Sequence, residues 1–261
     1  MNLLGLVPQT YANLILFLLM LIRIAFLFST FILFRRDYVN ARIIIAFSSI
    51  LAFYALLITH NKSPKYELFS LLMIYDVFFQ IFIGFLCGFI LNIIFEIFTA
   101  VGQIISSQVG FTMVTLFDPR FGMITPLTLF YNYFSIIIFF LLNGHLITIK
   151  LILDSFITIP INTFYSPLYR MNEIIHFAGN IFVLSVSLSI TIIISMLITN
   201  ITIAVMSRFA PQFNIFSVGV NFTIIFGLIF VYLTFGFLIN NGEQVMQNGM
   251  IFLTHILSGM K

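Results

Sequence analysis

The chain has 261 residues, of which 61% are hydrophobic and 7% charged, with a mean hydropathy of +1.17. A water-soluble domain is about a quarter charged, so there is too little polar surface to cover a globule in water, and lipid or protein must cover much of it. The formal net charge of +3 comes from scattered basic residues, which excludes the clustered Lys/Arg face of a nucleic-acid binder; a single cysteine, Cys87, excludes an intrachain disulfide and a cysteine metal site.

Six apolar blocks are predicted to be helices: Tyr11–Phe34, Ile43–Thr59, Leu68–Val101, Met123–Leu142, Ile174–Met206 and Phe213–Ile239. Each is near or above the ~20 residues that a membrane span requires, which makes the chain an all-α polytopic membrane protein. Shorter helices are expected at Gln103–Val109 and His145–Ile157. No Lys or Arg precedes the first apolar run and no small-residue cleavage site follows it, so the first helix is expected to be retained. Trp is absent, leaving Tyr and the few charges to mark the membrane interface.

Inside the first block, Arg23 is costly unless paired; Asp76 and Glu96 are candidate partners. The third and fifth blocks are too long for a simple span. A helix of about 33 residues measures ~50 Å against ~30 Å of hydrocarbon, so these helices are expected to tilt, break or project beyond the bilayer. With six spans, one side receives Arg35, Arg36, Arg42, Arg120 and Arg208, and the other Lys62, Lys65, Lys150, Arg170 and Lys261. The positive-inside rule therefore gives no orientation.

Within the third block Asp76, Gln80, Gly84, Gly88, Asn92, Glu96 and Ala100 recur at four-residue spacing. Residues i and i+4 are neighbours on a helix, so these form one small-or-polar row, and Gly84 with Gly88 allows another backbone to approach closely. Because four residues overshoot a turn of 3.6, a partner following the row must cross obliquely. The row suits an intrachain helix contact, or else a seam between subunits or a surface facing an aqueous path, which the ionisable Asp76 and Glu96 favour.

After Val101 comes a polar stretch with helical potential, Gly102 to Gly110, and then the apolar-tipped run Phe111 to Gly122, with Pro119 inside it and Pro126 beyond. Two glycines and two prolines make a continuous helix from Gly110 to Pro126 unfavourable. Irregular backbone between membrane-embedded blocks survives when buried in protein or lining water. Phe, Met and Leu at its tip can close a passage while remaining deformable; the alternative is an exposed loop on one membrane face. Asn143, Gly144 and His145 read as a turn before a partly polar helix carrying Asp154, and their spacing puts His145 and Asp154 on opposite faces, which argues against a catalytic or metal pair. No phosphate-cradling loop, His-Glu metal helix or serine elbow occurs, so neither an enzyme nor a cofactor is expected.

The ordered set Gln80 to Phe89, Gly102-Gln103, Asp118-Pro119, Asn143-Gly144-His145-Leu146, Asp154-Ser155-Phe156 and Arg208-Phe209-Ala210-Pro211-Gln212 through Gly219 resembles the FliR family of flagellar biosynthesis proteins, across roughly Leu14 to Gly236. Departures are the missing prolines near Phe31-Ile32 and Asn221. The resemblance implies a core subunit of the flagellar type III export gate in the bacterial inner membrane, at the flagellar basal body. There it would form with FliP and FliQ a channel for unfolded flagellar proteins, with FlhB wrapped around the gate and FlhA supplying substrates. It implies a FliP-like part at 1–173 and a FliQ-like hairpin at 174–261, and a pore plug at about 110–122 carried by Phe111, Met113, Leu116 and Phe117. Alternatives are the homologous subunit of a virulence injectisome, and a small-solute transporter with Arg23, Asp76 and Glu96 as coupling charges.

Overall fold

The computed structural model describes residues 3–34, 39–58, 71–113, 116–118, 122–161, 170–209 and 215–258. Seven α-helices account for nearly all of them: α1 Leu3–Thr30, α2 Ala41–Ile58, α3 Leu71–Val109, α4 Pro126–Leu141, α5 Gly144–Thr158, α6 Met171–Phe209 and α7 Ile215–Ser258. Single 3-10 turns stand at Ile32–Phe34 and Phe111–Met113. A short antiparallel ribbon, β1 Leu116–Asp118 and β2 Gly122–Ile124, pairs Leu116 with Ile124 and Asp118 with Gly122. Among the described residues, five helices are long and apolar enough to cross a membrane, or six if α4 and α5 make one broken span. The chain is an integral membrane protein.

The three longest helices all run past the predicted blocks. The stretch Gln103–Val109 continues α3 rather than forming a helix of its own, so α3 has 39 residues; α6 also has 39. The sixth block continues past Ile239 to Ser258, giving α7 44 residues. At 1.5 Å per residue these are ~58 Å and ~66 Å long, well beyond the ~30 Å of hydrocarbon. The polar run Asn240-Asn241-Gly242-Glu243-Gln244, beyond the end of the sixth block, stays helical, with Asn241 Nδ2 donating to the Phe237 carbonyl at 2.7 Å.

The breaks have local causes. Gly110 ends α3 with φ +88°, a left-handed conformation that costs glycine little. Asn143 stands between α4 and α5 with φ +55°, and Asn is among the few side chains that tolerate this region. Thr125 and Pro126 start α4: Thr125 Oγ1 accepts from the Thr128 amide, and Pro126 occupies the first turn, where its missing N–H is harmless.

The chain forms two compact units, and α3, α6 and α7 each contribute to both. The first comprises Met1–Asn92, Gly144–Ile175 and Gly249–Lys261. Its interior holds Leu19, Met20, Ile24, Leu27 and Phe31 of the α1 segment with Ile83, Ile90, Ile152 and Phe156. The second comprises Ile93–Asn143 and His176–Asn248, and its interior holds Phe95, Phe98, Val101, Ile105, Tyr131, Phe139 and Met246. Large apolar side chains such as Phe182, Ile198, Phe209, Tyr232 and Leu233 remain exposed on α6 and α7, an amount of greasy surface that lipid or protein must cover.

Candidate functional site

The segment between α3 and α4 is held at its base by a polar clasp in the second unit. Ser106 Oγ donates to Thr125 Oγ1 at 2.6 Å, and Thr125 Oγ1 is 2.8 Å from Thr128 Oγ1. One layer further along, a Cβ on Gly102 would lie 2.7 Å from Thr128 Cα, so only glycine permits this closeness. Next, Asn132 Nδ2 donates to Thr99 Oγ1 at 3.1 Å, and beyond it the rings of Phe95 and Phe139 stand 5.4 Å apart. These layers zip α3 and α4 into an antiparallel pair whose open end is the Gly110–Ile124 segment.

The helix α7 lies along the same pair. A Cβ on Gly227 would come 2.6 Å from Val109 Cγ2, and one on Gly242 would meet Phe98 Cε1 at 3.1 Å and Ile138 Cδ1 at 3.3 Å. Phe235 packs its ring 5.3 Å from Phe134 and 5.9 Å from Phe130. The last turn of α3, from which the segment leaves, is thus backed by α7. Apolar-only walls around a clasp of hydroxyls make the stem rigid, because buried hydroxyls are costly without their partners.

Of the four residues expected to form a plug, Phe111 and Met113 belong to the 3-10 turn directly after Gly110, and Leu116 and Phe117 to β1. Phe111 is half-buried; the side chains of Met113, Leu116 and Phe117 lie outside the described residues. Asp118 ends β1, Pro119, Pro211 and Gln212 lie outside the described residues, and Arg208 is exposed in the last turn of α6. Gly144 is buried at the start of α5, with His145 half-buried beside it.

The small-or-polar row of α3 is occupied within the chain along its first unit. A Cβ on Gly84 would fall on the Arg23 carbonyl oxygen, and one on Gly88 on the Thr30 hydroxyl. Asn92 then caps the end of α1: its Oδ1 accepts from the Ile32 amide at 2.7 Å, and its Nδ2 donates to the Thr30 carbonyl at 2.6 Å. The partner of this stretch is therefore α1. Asp76 and Gln80 are buried, while Glu96 is exposed.

Arg23 is fully buried, and the groups that hold it are mostly uncharged. Its Nε donates to Gln80 Oε1 at 2.6 Å, Nη1 to the Ser155 carbonyl at 2.9 Å and hydroxyl at 3.1 Å, and Nη2 to the Ile159 carbonyl at 3.0 Å. The guanidinium also lies 4.4 Å from the centre of the Phe156 ring. This corrects the expectation of a direct Asp76 or Glu96 partner: the contacts are made by Gln80 and by the end of α5. A cation there lies at the negative end of the α5 dipole; the Ser155 carbonyl it meets also accepts the Ile159 amide at 2.9 Å. Ser155 entered the sequence reading only as part of the Asp154-Ser155-Phe156 motif and Ile159 not at all, since backbone carbonyls carry no residue signature. The Thr125-Pro126 start signal was the readable part of the clasp.

Residues 14–249 match the family described as bacterial export proteins, family 1. The chain is 33% identical over 214 residues to the flagellar biosynthetic protein FliR of Buchnera aphidicola subsp. Baizongia pistaciae, covering 81% of this chain and 82% of the relative. It is 30% identical over 213 residues to FliR of Buchnera aphidicola subsp. Schizaphis graminum, with the same coverage of 81% and 82%. The surface presentation of antigens protein SpaR of Shigella flexneri is 32% identical over 158 residues, covering 60% and 61%.

Proposed function

This chain belongs to the bacterial export proteins, family 1, and from that membership we propose that it is a core subunit of the flagellar type III export gate. In this role it joins FliP and FliQ homologues in the inner membrane to form the channel that passes unfolded flagellar proteins, with FlhB and FlhA homologues as further partners. In this reading the part at 1–173 corresponds to FliP, and 174–261, which holds α6 from Ile174 onward and α7, to FliQ. The flagellar assignment is supported by FliR relatives that match 81% of the chain, against 60% for SpaR; the injectisome remains the second reading because that shorter match is of similar identity.

The observation that supports the gate role is the clasp at the base of the segment between α3 and α4, where α3 ends at Gly110 with φ +88° and Ser106 meets Thr125. Its mechanism is mechanical. Apolar side chains at 111–117 close a water-filled passage because wetting them is unfavourable, and the Ser106–Thr125 clasp lets the segment swing without unzipping α3 from α4. No covalent chemistry is required. The transporter alternative is less favoured, because Arg23, one of its three coupling charges, is held among carbonyls and an amide.

Deleting residues 111–117 tests the role. Ion leak through the membrane is expected to rise while the chain still assembles with its neighbours; an unchanged leak with intact assembly would reject the plug. Loss of motility in a knockout separates the flagellar from the injectisome reading.

A further inference from the structure

Outside the gate segment, the first unit carries an open groove of about 320 Å³ between α2 and α5. Tyr54 and Ile58 of α2 form one wall, and Leu146, Ile149, Leu153 and Ile157 of α5 the other. Two charges stand on this apolar face, Lys150 and Asp154, one helical turn apart and both exposed. Among the described residues neither forms an ion pair, with the other or elsewhere. Lys150 and Asp154 are spaced i and i+4, with Cβ atoms about 5–6 Å apart, yet stand unpaired with each other, which leaves a positive and a negative group side by side for a ligand that carries one charge of each sign.

We propose that this groove binds a zwitterionic phospholipid with a primary ammonium, of the phosphatidylethanolamine class. Lys150 holds the phosphate and Asp154 accepts hydrogen bonds from the ammonium. The two lipid charges are joined by a two-carbon linker, a reach matched to one helical turn, so one molecule satisfies both side chains. Its acyl chains cover Tyr54, Ile58, Leu153 and Ile157. A partner helix would have to present an acid and a base at the same spacing; the lipid carries both in its headgroup. The site is independent of the gate role, since no residue of 110–126 contributes to it.

The full chain, extracted in mild detergent, is offered phosphatidylethanolamine, phosphatidylglycerol or phosphatidylcholine of identical acyl composition, and retained lipid is counted by native mass spectrometry. Phosphatidylethanolamine is expected to be retained about tenfold better than either, as one charge-assisted contact gives, because phosphatidylglycerol offers Asp154 no cation and a quaternary ammonium has no N–H to donate. Asp154→Asn is expected to lower phosphatidylethanolamine retention to the phosphatidylglycerol level, and Lys150→Gln to lower both. Equal retention of the three lipids by the unaltered chain would overturn the site, as would unchanged phosphatidylethanolamine retention in both variants. So would a photo-crosslinker in place of Leu146, on the same wall of the groove, that captures a protein instead of lipid in native membranes.

Discussion

Arg23 Nη1 lies 2.9 Å from the backbone oxygen of Ser155, 132 positions away, so a guanidinium in α1 closes the end of α5. The same side chain reaches α3 through Gln80. One residue thereby ties three helices of the first unit together, and does so with a cation placed where the dipole of α5 is negative.

Replacing Arg23 by Met is expected to leave the Ile159 carbonyl and the Gln80 amide oxygen without the partner that Arg23 gives them in a buried interior, and to destabilise the first unit by about 3 kcal/mol. Arg23→Lys is expected to recover less than half of that, since an ammonium on a flexible stem lacks the planar fork that spans Gln80 and two carbonyls at once. Thermal unfolding of the purified chain in detergent, followed by circular dichroism, reads both.

The glycines give a paired comparison. Gly84→Ala and Gly88→Ala each drive a Cβ into α1 and are expected to cost about 2 kcal/mol or more. A Cβ on Gly179 or Gly236 meets nothing within 4 Å, so alanine there is expected to be neutral or to stabilise by up to about 1 kcal/mol through helix propensity. The order of the four unfolding midpoints checks the seam.

Asn143→Val is expected to destabilise the α4–α5 junction by about 1–2 kcal/mol, because a β-branched residue resists the left-handed backbone that Asn143 adopts. Asn143→Gly is expected to be tolerated. Trypsin sensitivity at the nearby Lys150 measures the difference.

Thr125→Val removes both the helix cap and the acceptor for Ser106. About 1 kcal/mol of stem stability is expected to go with it, and with it a rise in resting ion leak while protein level is unchanged. Ser106→Ala is expected to do the same more weakly. Fluorescent ion-flux measurement on cells expressing each variant gives the comparison.

The sequence exposed the helices, the break after α3 and the small-residue row, because these rest on hydropathy, glycine and proline, and periodicity, all local signals. It did not expose what those features touch. The row at Gln80, Gly84 and Gly88 looks the same whether its neighbour is α1 or another chain. Arg23 implied a charged partner, whereas the structure satisfies it with backbone carbonyls 132 and 136 positions away. The continuation of α7 through Asn241 and Gly242 was hidden for a related reason: Gly242 breaks helices in isolation, yet here it admits Phe98 and Ile138.

The central claim is that the 111–117 segment stands across a passage at rest and leaves it during export. With Cys87 replaced by Ser so that the reporter thiol stands alone, Leu116→Cys can be probed with a membrane-impermeant thiol reagent. Labelling is expected to be slow in resting cells and at least about tenfold faster when an export substrate is arrested in transit. Rapid labelling at the same rate in both states would place the segment permanently in bulk water and contradict the account.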